Sequence, residues 1–378
     1  GILFGRDRDI AADFIRTRFG LSYRPAPWIK LHGHAQDTRV AAYGAPAPGN
    51  VKDPLDLQEG YVELFSSTQK GFGATIGRQM IGYGDTRLIG SPQWAYAART
   101  WDTARLYYVT ARMRLEVLHI SPIVPRGDGF NKPILGDRIW GTYSTFKDVL
   151  GKNLVDAYIL RHDQNRPGGF TGVGTYGVNV FGTRWAMPLP KNFRITTEGV
   201  LQNGHNGPLK HRAAGFVSQL GYKTKWLGKP LDLANEYKYA TGTDPNSGRS
   251  GTFDQLYPAA HDKFGHVDLI GWRNIHNIRS ITTWSLRPKW QWILMYNASW
   301  LANPRDSLYN IQGRAIVRSA TGRDGRWVGQ EIDLYTNLQL GPFTIAGGIG
   351  QFVPGTFIKN TTPGAWSRLL YLSTQYSF

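Results

Sequence analysis

Residues 366–378 read WSRLLYLSTQYSF. In an extended chain successive side chains point to opposite faces. Trp366, Leu370, Leu372, Tyr376 and Phe378 therefore share one face, and Tyr371, Ser373, Gln375 and Ser377 share the other. Arg368 falls in the apolar register, where a long side chain can reach a polar boundary by snorkelling. The same period of two recurs outward from this stretch, in runs of about ten residues. In Phe14–Tyr23, Ile15, Thr17, Phe19, Leu21 and Tyr23 oppose Arg16, Arg18, Gly20 and Ser22. Ile29 and Leu31 alternate with Lys30, His32, His34 and Gln36, and Phe193, Ile195 and Leu201 alternate with Arg194, Thr196, Glu198 and Gln202. Trp290, Trp292, Leu294, Tyr296 and Trp300 share a face, as do Ile332, Leu334, Leu338 and Leu340.

Strands are expected at 14–23, 28–40, 58–66, 72–82, 101–110, 112–121, 137–147, 153–162, 173–185, 193–203, 211–223, 230–241, 274–287, 289–303, 327–340, 342–353 and 366–378. The joins alternate short and long. Arg24–Pro27, Ser67–Gly71, Trp226–Gly228 and Gly341 are short; 42–57, 83–100, 122–136, 242–273 and 304–326 are long. Long structureless joins are uncommon in compact soluble domains, whereas a membrane barrel has short turns at one rim and long loops at the other. Parity asks for one more ascending strand before residue 14. Gly1–Arg8 is assigned as its remnant, giving an 18-stranded antiparallel up-and-down β-barrel. Residues 1–378 are read as one domain, since no linker or low-complexity tract interrupts them.

Aromatic placement separates this fold from a soluble sandwich, whose strands also alternate. Tyr23, Trp28, Phe72, Trp185, Phe193, Tyr222, Trp226, Trp290, Phe343, Tyr376 and Phe378 gather beside the short turns. Barrels carry such girdles at the membrane interfaces; a sandwich has no reason to. No stretch approaches 18 consecutive apolar residues, so a spanning helix is excluded, and a mean hydropathy of −0.36 is what half-buried alternating strands produce. The chain has no cysteine and opens GILFGRDRD without an apolar signal segment. If the chain is secreted, its numbering is expected to start after cleavage or trimming.

Charge indicates what such a lumen would admit. With 44 basic and 27 acidic residues the net charge is +17, which implies an anionic partner. Basic side chains recur on the polar face: Arg16, Arg18, Lys30, Arg105, Arg114, Arg194, Lys238 and Arg279. Positive rings select anions, and the arginine fork suits carboxylates. Glu63, Glu116, Glu198, Glu236, Glu331 and Asp333 also face inward and are expected to pair with arginines in ladders. The competing readings are a structural or adhesive barrel whose lumen is plugged by loops such as 242–273 and whose charges only neutralise one another, and a porin for small organic or sugar acids. A nucleic-acid binder would also be basic, but would not collect aromatics at alternate turns. His205, His211, His261, His266, Asp254 and Asp262 are candidate catalytic groups by residue type. No HExxH, GxSxG or cysteine accompanies them, so neither enzyme activity nor a cofactor or metal is expected.

Four local patterns resemble the alginate export family. These are GRQMIGYGDTRL at 77–88 with Trp94 and Arg99; FDQLYP at 253–258 with His261 and Gly265; Asp306, Leu308 and Tyr309 with Gly313; and GQEIDL at 329–334. The terminal Phe378 resembles the signature by which outer-membrane assembly machinery recognises its clients. The resemblance implies an 18-stranded barrel in a Gram-negative outer membrane, surrounded by lipid and lipopolysaccharide. It implies an arginine-rich pore passing an acidic saccharide such as the polyuronate alginate. A monomer is expected, with periplasmic export or uptake partners. Within the first pattern, Arg78 and Arg87 are expected to reach into the lumen, with Glu63 or Glu331 as partners.

Overall fold

The structure is a computed structural model that describes residues 4–5, 11–43, 52–65, 70–127, 129–149, 151–165 and 175–378. Its strands are β1 (Ala11–Ala26), β2 (Ile29–Tyr43), β3 (Asp53–Leu64), β4 (Gly71–Gln79), β5 (Trp101–Val109), β6 (Met113–Val124) and β7 (Lys132–Pro133). There follow β8 (Asp137–Lys147), β9 (Leu154–Gln164), β10 (Tyr176–Pro188), β11 (Phe193–Asn206), β12 (Leu209–Trp226) and β13 (Lys229–Ala240). The chain continues through β14 (Ile275–Arg287), β15 (Trp290–Leu301), β16 (Leu308–Tyr309), β17 (Ala315–Val317), β18 (Trp327–Leu340), β19 (Phe343–Pro354), the helix α1 (Thr356–Thr361) and β20 (Ser367–Tyr376).

Eighteen of these strands form one antiparallel sheet. Every segment expected from the alternation is a long strand of it, paired antiparallel with its sequence neighbour, for example Phe343↔Tyr376 through Phe352↔Ser367, with register shifts such as those between His34 and Ala35 and between Ser299 and Trp300. The eighteenth member is the two-residue β7, which pairs with the upper end of β6. β16 and β17 form a separate hairpin. Of the expected remnant Gly1–Arg8, only Phe4 and Gly5 lie among the described residues, and neither is in a strand. Phe4 accepts a hydrogen bond from Ala365 at 2.9 Å and packs on Phe352.

The sheet wraps back on itself around residues 93–95. Arg16 on β1 donates to the carbonyls of Gln93 and Ala95, both at 3.1 Å. Trp94 packs edge-on against Tyr371 on β20, with ring centroids 4.7 Å apart. The first and last strands therefore stand beside the same three residues.

Alternation sets which face meets lipid. Ile15, Phe19, Leu21, Leu370 and Leu372 are 67–80% exposed on the outer face, as apolar side chains can be where the surrounding solvent is hydrocarbon. At the short-turn rim the aromatics contact in pairs: Phe72 with Tyr108, Phe193 with Tyr222, Trp226 with Trp284 and Phe343 with Tyr376, centroids 4.6–5.1 Å apart. The opposite rim bears the long connections, apart from the two-residue join between β11 and β12 at Gly207. There Phe253, Trp272, Leu301, Leu308, Val328, Phe352, Phe357 and Ile358 form an apolar core. This core sits inside the upper half of the barrel and fixes the loops against the wall.

Candidate functional site

Two long connections fold into the lumen and join there. The segment 80–100 leaves β4, and the segment 241–274 links β13 to β14. Gly90 donates to Tyr257 and Tyr257 to Leu88 as one parallel bridge, and Ala259 donates to Thr86, all at 2.8–3.0 Å. Arg99 caps the junction, donating to the carbonyls of Gly90, Tyr257 and Pro258. Its burial lowers the guanidinium to about 10. The result is an inner plug, tied to the wall through the ionisable groups that alternation turns inward.

The first tie is Asp254, buried to 1% exposure. It accepts from Tyr176 (2.8 Å) and Arg273 (2.9 Å) and lies 2.7 Å from His162 Nδ1. Burial opposes ionisation of Asp254, but His162 and Arg273 outweigh it and hold the carboxyl well below its ordinary range. Tyr257 adds a hydrogen bond to Asp137 on β8. The second tie is Glu236 on β13, which holds Arg87 from the plug together with Lys238 (2.9 Å) and Arg279 (3.2 Å) from the wall. Lys238 and Arg279 also reach the plug carbonyls of Lys263 and Asp262. Burial works against the Asp262 carboxylate, yet Lys263 and Arg279 hold it down at about 2. The third tie is Glu116 on β6, shared by Arg105 (2.6 Å), Arg114 (2.5 Å) and the Tyr83 hydroxyl. Asp85 bonds Arg184 at 2.5 Å, and Arg184 also reaches Asp156.

The inward basic residues thus fall into distinct settings. Arg87, Lys238 and Arg279 converge on Glu236, and Arg105 and Arg114 on Glu116. Arg194 pairs with Asp232 at 2.6 Å near the short-turn rim. Arg18 donates to Gln36 and Gln93 at 2.8 Å, and Lys30 to the Tyr61 hydroxyl at 3.0 Å. Glu198 accepts from Tyr158 at 2.7 Å. Below the plug, a cavity of about 460 Å³ is lined by Asp85, Arg87, Thr196, Gln219, Asp262, Lys263, Arg279, Thr283 and Tyr335.

Three expectations need correction. Arg78 does not face the lumen. It follows the outward Ile76 by two positions and pairs with Asp102 at 2.9 Å on the outer face, near the long-loop rim. Arg87 is paired with Glu236 rather than with Glu63 or Glu331; Glu63 instead lies 3.9 Å from Arg24. Glu331 and Asp333 form no ion pair with a lysine or arginine among the described residues. They accept the amides of Val267 (2.8 Å) and His266 (3.4 Å) and so clasp plug backbone. Gly265 permits this approach: its φ is +113°, and a Cβ there would stand 2.2 Å from Glu331 Oε1.

Several residues of these ties had no assigned role in the sequence: Asp85 and Arg273 from the plug, and Asp137, His162 and Arg184 from the wall. Their only signal was an inward register or proximity to a family motif. All four motifs meet in the plug. The first and second are joined by its hydrogen bonds, the fourth clasps the second, and the third packs against the second. Gly271 donates to Tyr309 at 2.9 Å, and Arg273 to Gly313 at 2.9 Å. Of the candidate catalytic groups, Asp254 and Asp262 lie in these ties, and three of the histidines make further contacts. His261 bonds Asp268 at 2.9 Å and stacks on Trp94 at 4.0 Å. Burial first, then neighbouring His261, lowers His266 to about 3. His211 lies 3.1 Å from Ser250.

Comparison with known proteins agrees with the geometry. Among solved structures the chain is similar to Pseudomonas aeruginosa OccK5 (OpdH), at 10% identity and TM-score 0.58, covering 98% of this chain and 95% of that one. It is also similar to P. aeruginosa OccD3 (OpdP), at 12% and 0.59, covering 98% and 87%, and to Acinetobacter baumannii OccAB4, at 11% and 0.55, covering 97% and 90%. Identities this low speak for the fold alone. No curated protein sequence matches. The family model described as alginate export matches residues 29–371. That match spans all four motifs and every strand from β2 into β20, so the chain belongs to the alginate export family and is an outer-membrane β-barrel channel of the Gram-negative envelope.

Proposed function

We propose that this barrel is an anion-selective channel that passes an acidic, uronate-bearing saccharide. The observation that carries the reading is the sharing of single carboxylates by several basic groups. Glu236 faces Arg87 and Arg279, and Glu116 faces Arg105 and Arg114. Each centre keeps an excess positive charge even with the Lys238 ammonium left out. In a low-dielectric wall such an excess concentrates anions, and guanidinium forks receive carboxylates in bidentate fashion. The plug then acts as the element that narrows or gates the path. Cargo diffuses past it along fixed charges, and the protein's own residues supply attraction and orientation without any bond being made.

Reversal potentials across planar bilayers in a salt gradient test this. The wild type should prefer anions. Replacing Arg105, Arg114 and Arg279 by glutamine should lower the anion-to-cation permeability ratio several-fold. A cation-preferring or non-conducting wild type would refute the reading. Liposome swelling with uronate oligomers against small organic acids separates a saccharide channel from a small-acid porin.

A further inference from the structure

On the lumen face of β2, His32 and His34 stand two residues apart, and the strand period places both rings on one side. The β2–β3 register sets Glu59 directly opposite His34. Glu59 Oε2 lies 3.8 Å from His32 Nε2 and 3.4 Å from His34 Nδ1. One donor atom from each of the three residues lies within 4.8 Å of the others. None of these side chains belongs to the Glu236 or Glu116 centres or to the bridge between the plug segments.

The donors are held by neighbours outside the cluster. Ser22 Oγ on β1 lies 2.8 Å from His32 Nδ1, which fixes the ring with Nε2 toward Glu59. The Met80 amide donates to Glu59 Oε1 at 2.9 Å, leaving Oε2 for the two imidazoles. Gly20 lies opposite His34, and a Cβ there would come 3.3 Å from the His34 ring, so the ring rests against that glycine. Side-chain exposures of 14–18% leave the cluster reachable from the lumen but mostly screened.

We propose that His32, His34 and Glu59 form a binding site for a divalent transition-metal ion, with Zn²⁺ as the ion of best fit. Two imidazoles and one carboxylate are a known zinc donor set that leaves a fourth position open. Hydrogen bonds to the remaining ring nitrogen and carboxylate oxygen are the supports that orient such ligands. Donors about 2.1 Å from a shared zinc stand roughly 3.4 Å apart in a tetrahedron. The widest gap therefore has to close by about 1.4 Å, within reach of side-chain rotation at Glu59 and His34. Lys30 lies beyond Tyr61, to whose hydroxyl its ammonium is bonded, and its charge moderates affinity without entering the donor set. The fourth position opens to the lumen, where water or a carboxylate can fill it. Glu59 was not singled out in the sequence, because only the strand register brings it to the histidine pair.

The full-length barrel in detergent, stripped of any affinity tag, is titrated with ZnCl₂ by calorimetry. One equivalent should bind, and His32→Ala with His34→Ala should abolish that binding. Ser22→Ala should weaken it about tenfold while leaving the donors in place. Circular dichroism confirms that each variant keeps its strand content. Co²⁺ added to the wild type gives a readout that needs no variant, since four-coordinate binding produces an intense visible absorption. Failure to bind one equivalent of Zn²⁺, binding unchanged in the double variant, or only the weak absorption of six-coordinate Co²⁺ would overturn the site. Because these measurements involve no transport, their failure and that of the channel reading are distinguishable.

Discussion

Asp254→Asn removes one charge from the plug and turns Oδ2, which accepts from Tyr176 and faces His162, into an NH₂ donor. Asp254 Oδ1 accepts the Leu256 amide at 3.0 Å in a local turn that asparagine can keep. What the variant loses is the anion facing His162 and Arg273, with every partner buried. Breaking a buried pair on one side costs about 3–5 kcal/mol. At about 1.4 kcal/mol per factor of ten, the equilibrium between docked and released plug shifts by roughly two to nearly four orders of magnitude. The cost falls on the plug, because the wall strands keep their ladders without Asp254. The Asp254 amide reports docking directly, since its acceptor Gln202 Oε1 lies on the wall strand β11. Hydrogen exchange on the peptide covering 253–260 should lose at least about 100-fold of its protection, while 327–340 in β18 stays unchanged. Equal protection in variant and wild type would refute the claim that Asp254 anchors the plug. Loss across β18 as well would refute its confinement there.

Gly265→Ala should loosen the same plug by about 1–3 kcal/mol, since φ +113° is strained for any other residue and the new Cβ meets Glu331; an unchanged exchange rate at Val267 would count against the clasp. Acidification should not release the plug between pH 8 and pH 5. Asp262 is held at about 2, so its contribution is complete above the ordinary carboxylate range and is lost only as pH falls through about 2. Asp268 is raised by burial, so its contribution is present at low pH and lost as pH rises through its raised value. Exchange corrected for intrinsic rate should therefore stay equal or slow at pH 5, and a tenfold acceleration would refute the assignment. Leu372→Arg, in the middle of β20 and 80% exposed, should cost about 2–4 kcal/mol of unfolding free energy in lipid vesicles. Ser373→Arg, on the lumen face, should cost markedly less, and equal costs would mean that the faces are misassigned.

The wall was legible because a barrel strand writes its environment on every second residue. The segment 366–378 needed no partner to be read: Leu370 and Leu372 could only face an apolar solvent if Tyr371 and Ser373 faced a polar one. Strand ends were less legible. β1 continues three residues beyond Tyr23, through Arg24 and Pro25, because a ladder can extend past the bilayer into residues with no apolar pattern. The same alternation decides the face of Arg78. Ile76 points outward, so Arg78 must as well, and its placement in a family motif misled where alternation did not.

The plug was not legible from spacing, because its bonds carry little side-chain signature. The hydrogen bonds of Gly90, Tyr257 and Ala259 are made by main chain, and the partner of Arg87 lies 149 residues away. This long-range bonding has a consequence for selectivity. Arg87 belongs to the plug, whereas Arg279 and Lys238 belong to the wall, yet all three share Glu236. If the plug withdraws, Glu236 loses a guanidinium and the lumen beside it becomes less positive. At Glu116 the plug contributes only the neutral Tyr83 hydroxyl, so Arg105 and Arg114 keep their excess with the plug in or out. The charge that selects anions in the open state should therefore reside mainly at Arg105 and Arg114. Removing these two should change ion preference in every conductance level, whereas removing Arg87 should change it only in the narrow one.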